Sequence, residues 1–111
     1  MLAHWNGKCA VTGSATLDAI RASHIKPWRD STDAERLDYH NGIPLAATLD
    51  ALFDAGLISF DDNGVVLVSD ALDDVEQKTL NVTDLNMIHP PSGKSLMYLK
   101  YHRDNVFIRP K

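Results

Sequence analysis

The sequence contains a single cysteine, Cys9, in 111 residues. One thiol excludes an internal disulfide and a zinc site built from four cysteines. No stretch approaches 18 consecutive apolar residues, which excludes a hydrophobic helix long enough to span a bilayer. Residues 1–5 also lack the charged and apolar regions of a secretory signal. We therefore expect a protein of the reducing cytoplasm that does not associate with membranes.

Basic residues are scarce. The chain has 11 Lys and Arg against 15 Asp and Glu, for a formal net charge of −4. A nucleic-acid-binding domain usually carries a basic footprint, so the overall balance counts against one. The charge is unevenly spread, however, because the acidic middle between Asp50 and Asp84 contains only Lys78 as a base. Carboxylates in the middle of the chain with bases at its flanks are compatible with a bound metal ion and with phosphate contacts.

The length and the 44% content of hydrophobic residues indicate one domain with a small core. Short strands and helices are both predicted, which indicates an α+β fold. We expect a single domain over residues 1–111, with a core at about 5–60 and a hairpin and helical extension at about 61–111. Because a domain of this size is only modestly stable, a bound metal ion could contribute to its stability.

The first part of the chain is expected to hold two paired strands. Residues 9–11 read as a short strand, and residues 17–25 as its antiparallel partner. Pro27 ends the second strand because proline cannot donate a hydrogen bond to a sheet. Residues 33–36 are expected to form one helical turn.

The second part is expected to begin with a helix capped by Thr48 and running to Ala55, with Gly56 directly after its C-terminus. Residues 57–60 and 65–68 flank a turn sequence and predict a β-hairpin. Two further helices are expected, within 69–80 and over 95–105.

Two carboxylates stand four residues apart on the predicted helix, at Asp50 and Asp54. Positions i and i+4 share one face, with Cβ atoms roughly 6 Å apart, so the two charges repel unless a cation offsets them. Hard divalent cations prefer such oxygen ligands. The alternative is that one or both are surface acids on a polar helix face, which is the commoner role of an isolated pair.

Two polar residues upstream could complete a site. His24 lies near the end of the second predicted strand, and Asn41 follows it by 17 residues. An imidazole can take a proton from water at neutral pH as the water attacks phosphorus. The Asn41 amide could tie its loop to the backbone near the histidine. The alternatives are a half-buried strand histidine and an ordinary Asn-Gly turn.

Three stretches combine these residues: SHIKPW at 23–28, NG at 41–42 and TLDALFDAGLISF at 48–60. Together they resemble the HNH endonuclease family. Flanking residues extend the resemblance from about Trp5 to Phe107. The resemblance implies a ββα-metal core, here with an added β-hairpin and a C-terminal helix.

The resemblance also implies an activity, the metal-dependent hydrolysis of phosphodiester bonds in DNA. His24 matches the family histidine that activates water, and Asn41 matches the asparagine that orients it. Asp50 stands at a metal-binding position where many members have histidine, and Asp54 matches a further ligand or support. The implied cofactor is one divalent ion, Mg²⁺ first, with Mn²⁺, Ni²⁺ or Zn²⁺ as alternatives.

Ser23 departs from the family pattern, because many members carry Asp or His directly before the general base. A serine hydroxyl there is a weak metal ligand or a support. Three alternatives follow: Asp50 and Asp54 carry the metal with water, metal binding is weak, or catalysis is lost. In the last case the chain is an HNH-like module that binds DNA or protein.

Four bases near these motifs are expected to contact phosphates: Arg21, Lys26, Arg29 and Arg103. The alternative is simple solvation or, for Arg103, a structural ion pair. Trp5 and Trp28 could stack on bases, although packing is the commoner role. DNA is the expected partner. An acidic chain of this length should bind it weakly, so we expect a fused or associated recognition domain.

Overall fold

The computed structural model describes residues 5–108. The predicted domain covers residues 1–111, so its two ends lie outside the described residues. Most of the N-terminal stretch 1–5, which lacks a secretory signal, also lies outside them. The helices and strands are β1 (Ile20–His24), α1 (Asp33–Leu37), β2 (Gly42–Ala46), α2 (Ala47–Asp54), β3 (Ile58–Phe60), β4 (Val66–Val68), α3 (Asp74–Thr79) and α4 (Lys94–Asn105). Short 3-10 turns occur at Leu17–Ala19, Trp28–Asp30 and Tyr39–Asn41. The predicted α+β fold is confirmed.

The first hairpin pairs β1 with β2, not with residues 9–11 as the sequence predicts. The strands are antiparallel, and His24 lies opposite Gly42 at one end of the ladder. Residues 9–11 form a turn instead, and Ala10 donates one hydrogen bond of 2.8 Å to the Pro44 carbonyl of β2. The prediction was wrong because three apolar residues cannot distinguish a strand from a buried turn. The expected strand at 17–25 is also shorter, because its first three residues form a 3-10 turn.

Helix α2 follows β2 directly, which completes a ββα unit. The predicted cap was wrong, since the helix begins at Ala47 with Ala46 as its N-cap and no side-chain cap bond. Thr48 is exposed within the first turn. The N-cap position falls on the last residue of β2, and the alanine there has no side-chain acceptor for a capping bond.

The C-terminal end of α2 agrees with its prediction. Gly56 has φ +77°, and its N–H binds the Phe53 carbonyl at 3.1 Å. The Leu57 N–H binds the Leu52 carbonyl at 2.9 Å, so the two bonds form a Schellman motif. A Cβ at position 56 would collide with the Val106 carbonyl, so only glycine fits here.

The second hairpin is confirmed. β3 and β4 pair antiparallel, with Ile58 opposite Val68 and Phe60 opposite Val66. Helices α3 and α4 fall on the two predicted helical segments, and α1 on the predicted helical turn. Helix α4 packs against β3 and against the Tyr39–Asn41 turn.

One hydrophobic core joins both hairpins to α2 and α4. Phe53 and Phe60 lie at its centre, fully buried, with ring centroids 5.6 Å apart. Leu45 and Leu99 are equally inaccessible. Cys9 is 1% exposed and belongs to the same core, as expected of a small hydrophobic side chain. Across residues 5–108, no helix combines the length and apolar character required to cross a membrane.

Candidate active site

His24 is the last residue of β1 and is half-buried. Its Nε2 lies 3.4 Å from the carbonyl oxygen of Arg36. Its ring meets the indole of Trp28 edge to face, with centroids 5.2 Å apart and an interplanar angle of 81°. A carbonyl oxygen can only accept, so the contact favours the tautomer that carries its proton on Nε2. The lone pair is then on Nδ1, where the ring can accept a proton.

Asn41 connects its own turn to the segment that follows His24. The residue is fully buried. Its Oδ1 accepts the Lys26 N–H at 2.8 Å, and its Nδ2 donates to the Glu35 carbonyl at 3.1 Å. Its backbone carbonyl accepts the Ile25 N–H at 2.9 Å. The bonds to Ile25 and Lys26 fix the chain immediately after His24, and the bond to Glu35 connects Asn41 to α1.

Glu35 lies in this region although none of the sequence motifs contains it. It forms a capping box with Thr32: the Thr32 Oγ1 accepts the Glu35 N–H at 3.2 Å, and the Glu35 carboxylate accepts the Thr32 N–H at 2.8 Å. Both Glu35 carboxylate oxygens also accept from Lys26 Nζ, each at 3.0 Å. The Thr32 N–H and then Lys26 lower the pKa of Glu35 below its usual range. The Thr-Asp-Ala-Glu sequence at 32–35 is a capping-box pattern and could have revealed the residue.

Two of the four basic side chains predicted to contact phosphates bind other groups of the protein instead. The Lys26 side chain is 19% exposed and lies 4.8 Å from the centre of the Tyr101 ring, in addition to its pair with Glu35. The Arg103 side chain is 15% exposed and donates to the Phe60 carbonyl and to Asp62, both at 2.9 Å. Both cations therefore connect elements of the fold.

The other two predicted phosphate contacts face solvent. The Arg29 side chain is 83% exposed and lies 3.8 Å from Asp30, a distance too long for a strong ion pair. Arg21 is also exposed and donates to the Asp18 carbonyl at 3.0 Å. Arg29 and Arg21 are therefore the two of the four with surface to offer to a phosphate.

The acidic pair lies on α2, where the sequence placed it. Asp50 is half-buried in the first turn, and Asp54 is exposed as the last residue of the helix. Ser23 is 4% exposed and lies opposite Ile43 in the β1–β2 ladder.

The arrangement of the described residues limits how many protein ligands a metal ion could have. Within the range 5–108, no three His, Cys, Asp or Glu side chains lie together as a metal site. A closed site made only of protein ligands therefore does not fit this part of the chain. A hydrated Mg²⁺ needs only one or two carboxylates, with water and a substrate phosphate supplying the rest. Asp50 and Asp54 are the two carboxylates that α2 offers to such an ion.

His102, on α4, contacts residues of β3 and α2. It is 1% exposed, its Nδ1 lies 2.8 Å from Ser59 Oγ, and its Nε2 lies 2.8 Å from the Phe53 carbonyl. Its ring stacks on Phe53 at 3.8 Å. Burial lowers the pKa of His102 to about 4, so the ring is neutral and Nε2 donates to Phe53. The bond holds α4 against the last turn of α2, next to Asp54. No local sequence pattern marks this histidine.

A family model described as HNH endonuclease matches residues 9–61. The matched range begins at Cys9 and contains β1, the Tyr39–Asn41 turn, β2, α2 and β3. It covers just under half of the 111 residues and includes His24, Asn41 and both acids of α2. A search of curated proteins finds no match to the chain.

Proposed function

We propose that the chain is a metal-dependent endonuclease that hydrolyses phosphodiester bonds in DNA, because residues 9–61 match the HNH endonuclease family model. The observation that supports the proposal most directly is the position and hydrogen bonding of His24. It lies at the end of β1 with Nε2 directed at a carbonyl oxygen. Its neighbouring backbone is held by the buried Asn41. A histidine held in this way is suited to remove a proton.

His24 acts as the general base. Its Nδ1 takes a proton from the water that attacks phosphorus, while the Arg36 carbonyl retains the proton on Nε2. The same carbonyl dipole stabilises the imidazolium that forms. Asn41 acts indirectly, because its bonds to the two residues after His24 set the position of that strand end.

Asp50 and Asp54 would hold one divalent ion, Mg²⁺ first because both ligands are oxygens, with Mn²⁺, Ni²⁺ and Zn²⁺ as alternatives. Such an ion stabilises the charge that develops on the phosphate and on the leaving 3′ oxygen. Arg21 and Arg29, both exposed, supply phosphate contacts. Ser23 serves as a support rather than a ligand, since it is buried in the hairpin.

The proposal places these parts in a single domain over 1–111, with its nuclease core at about 5–60. DNA binding by the chain alone is weak because the net charge is −4. A fused or associated recognition domain would then supply sequence preference.

Nicking of supercoiled plasmid in Mg²⁺ or Mn²⁺ tests the proposal. We expect cleavage by the native chain, none in EDTA, and a loss of about a hundredfold or more in His24→Ala, the usual range for a general base. His89→Ala is the matched control, because His89 is an exposed histidine on a loop outside the ββα unit. Cleavage that survives His24→Ala would remove the assignment of the general base.

A second function deserves a test, namely an HNH-like module that binds DNA or protein without cutting. It is favoured by the buried Ser23 at a usual ligand position and by the lack of a three-ligand cluster within residues 5–108. Calorimetric titration with Mn²⁺ distinguishes the two. Heat of binding that disappears in Asp50→Ala supports the enzyme, and DNA binding with no metal uptake supports the module.

A further inference from the structure

Trp28 exposes an unusually large aromatic surface beside the proposed general base. It opens the Trp28–Asp30 turn directly after Pro27 and is 56% exposed. Its indole touches the His24 ring, with centroids 5.2 Å apart. Tryptophan is highly buried on average. Here more than half of the residue stays in solvent, so burial in the core does not explain its presence.

The indole is held in place although it is exposed. The Arg36 guanidinium carbon lies 4.6 Å from the centre of the indole, and Arg36 Nε donates to the Trp28 carbonyl at 3.0 Å. The same carbonyl accepts the Ser31 N–H at 3.2 Å. Backbone and ring are thus ordered before a ligand arrives, which lowers the entropic cost of binding to the ring.

Positive charge adjoins the indole. Arg36 covers part of the ring, and the Arg29 side chain, next in sequence, is 83% exposed. Aromatic side chains with cations nearby are the features by which proteins hold single-stranded nucleic acid, since bases stack on the rings and cations follow the backbone. In a duplex the base faces are covered by neighbouring bases, so an indole on the surface can reach only an unpaired base.

We propose that Trp28 stacks on an unpaired base next to the phosphate that is attacked by the water His24 deprotonates, so that the preferred substrate is single-stranded or locally opened DNA. This inference rests on the proposed nuclease function. It assigns Trp28 a role in substrate selection, whereas His24 carries the chemistry. Every base has a stackable face, so the preference is for strand state and not for sequence.

Binding measured in EDTA tests the inference without cleavage. Oligothymidylate and a duplex of equal length are titrated into the native chain, Trp28→Ala and Trp28→Phe. We expect Trp28→Ala to bind oligothymidylate about tenfold more weakly, Trp28→Phe to keep most of the affinity, and duplex affinity to change less than twofold. Equal losses on both ligands, or no loss on oligothymidylate, would overturn the proposal.

Tryptophan fluorescence tests the same proposal without substituting Trp28. The chain has two tryptophans, so Trp5→Phe leaves Trp28 as the sole reporter. We expect oligothymidylate to quench its emission and the duplex to quench it far less. Absence of quenching at saturating oligothymidylate overturns the proposal even where Trp28→Ala fails to fold.

Cleavage of gapped and intact duplex DNA distinguishes the stacking role of Trp28 from the nuclease function. If the native chain cuts both equally and Trp28→Ala leaves the ratio unchanged, the stacking role is wrong and the nuclease function stands. If the native chain neither binds nor cuts DNA, both are wrong. A preference for gapped DNA that Trp28→Ala abolishes and Trp28→Phe retains supports both.

Discussion

The side chain of Asn41 accepts the backbone N–H of Lys26 at 2.8 Å, two residues after His24. The two residues are 15 positions apart in sequence, and the bond joins the turn before β2 to the end of β1. Asn41 is fully buried, and its partners Lys26 and Glu35 are partly buried. This bond and the Asn41 bond to the Glu35 carbonyl connect the fold to the position of the proposed general base.

Replacement of Asn41 by alanine should therefore reduce stability and activity together. The Lys26 N–H would lose its partner, at a cost of about 1–3 kcal/mol for a group left unsatisfied. The Glu35 carbonyl would lose one partner and keep the Asp38 N–H at 3.3 Å. Urea unfolding measures the loss in free energy of unfolding. Asn63→Ala is the matched control, because Asn63 is exposed in the β3–β4 turn and should change stability by less than about 0.5 kcal/mol. Similar effects at both positions would contradict this role of Asn41.

His102 should make the protein sensitive to acid. Its pKa in the folded state is about 4, against an ordinary 6.5, because it is buried. Below pH 6.5 the unfolded chain takes up a proton that the folded chain refuses until about pH 4. The stability is thus complete above pH 6.5 and falls by about 3 kcal/mol as the pH approaches 4.

The measurement is urea unfolding from pH 7 to pH 4.5 in the native chain and in His102→Gln. Carboxylates contribute to the acid response of both proteins, so the difference between the two curves isolates the histidine. We expect His102→Gln to be less stable at pH 7, because it loses the Phe53 stack, and to lose less stability on acidification. Parallel pH curves would contradict a neutral, buried His102.

Replacement of Arg29 should affect DNA binding and replacement of Arg103 should affect stability, although the sequence predicts phosphate contact for both. Arg29 is exposed, so Arg29→Ala should leave the unfolding midpoint unchanged, weaken DNA binding and lower the salt dependence of binding by about one counterion. Arg103 binds Asp62 and the Phe60 carbonyl, so Arg103→Ala should lower the free energy of unfolding by about 1–2 kcal/mol. Binding titrations at two salt concentrations and urea unfolding of each variant distinguish these roles. The reverse assignment of effects would contradict the structure.

Local signals predicted the parts of the fold that are decided locally. Gly56 and the turn before β4 stand where the sequence placed them, because a positive φ and a tight turn select few residue types. The partner of β1 was not predictable in this way. It begins 18 residues after the end of β1, and the apolar run at 9–11 offered a nearer alternative. Tertiary packing, which the pattern does not encode, decided between the two.

The candidate site was also predictable only in part. The motif residues His24, Asn41 and Asp50 could be selected from the sequence because their types and spacings are specific in combination. The contacts around these residues could not be predicted from the sequence. The carbonyl that faces His24 belongs to Arg36, 12 positions away, and carbonyl groups look alike in every sequence. Trp28 could be proposed for stacking, but only its exposure and its contact with His24 separate stacking from packing.

Asp50 and Asp54 should repel each other when no cation is bound. They stand at i and i+4 on α2, an arrangement that costs about 0.2–0.5 kcal/mol between like charges. Asp54→Asn should thus raise the free energy of unfolding slightly in EDTA, because it removes the repulsion. In excess Mn²⁺ the order should reverse, since binding of the ion stabilises the native chain more than the variant. Thermal unfolding in EDTA and in Mn²⁺ measures both effects, with Asp70→Asn as an exposed aspartate away from α2. If Mn²⁺ raises the midpoint of Asp54→Asn as much as that of the native chain, Asp54 is a surface acid and the ion binds without it.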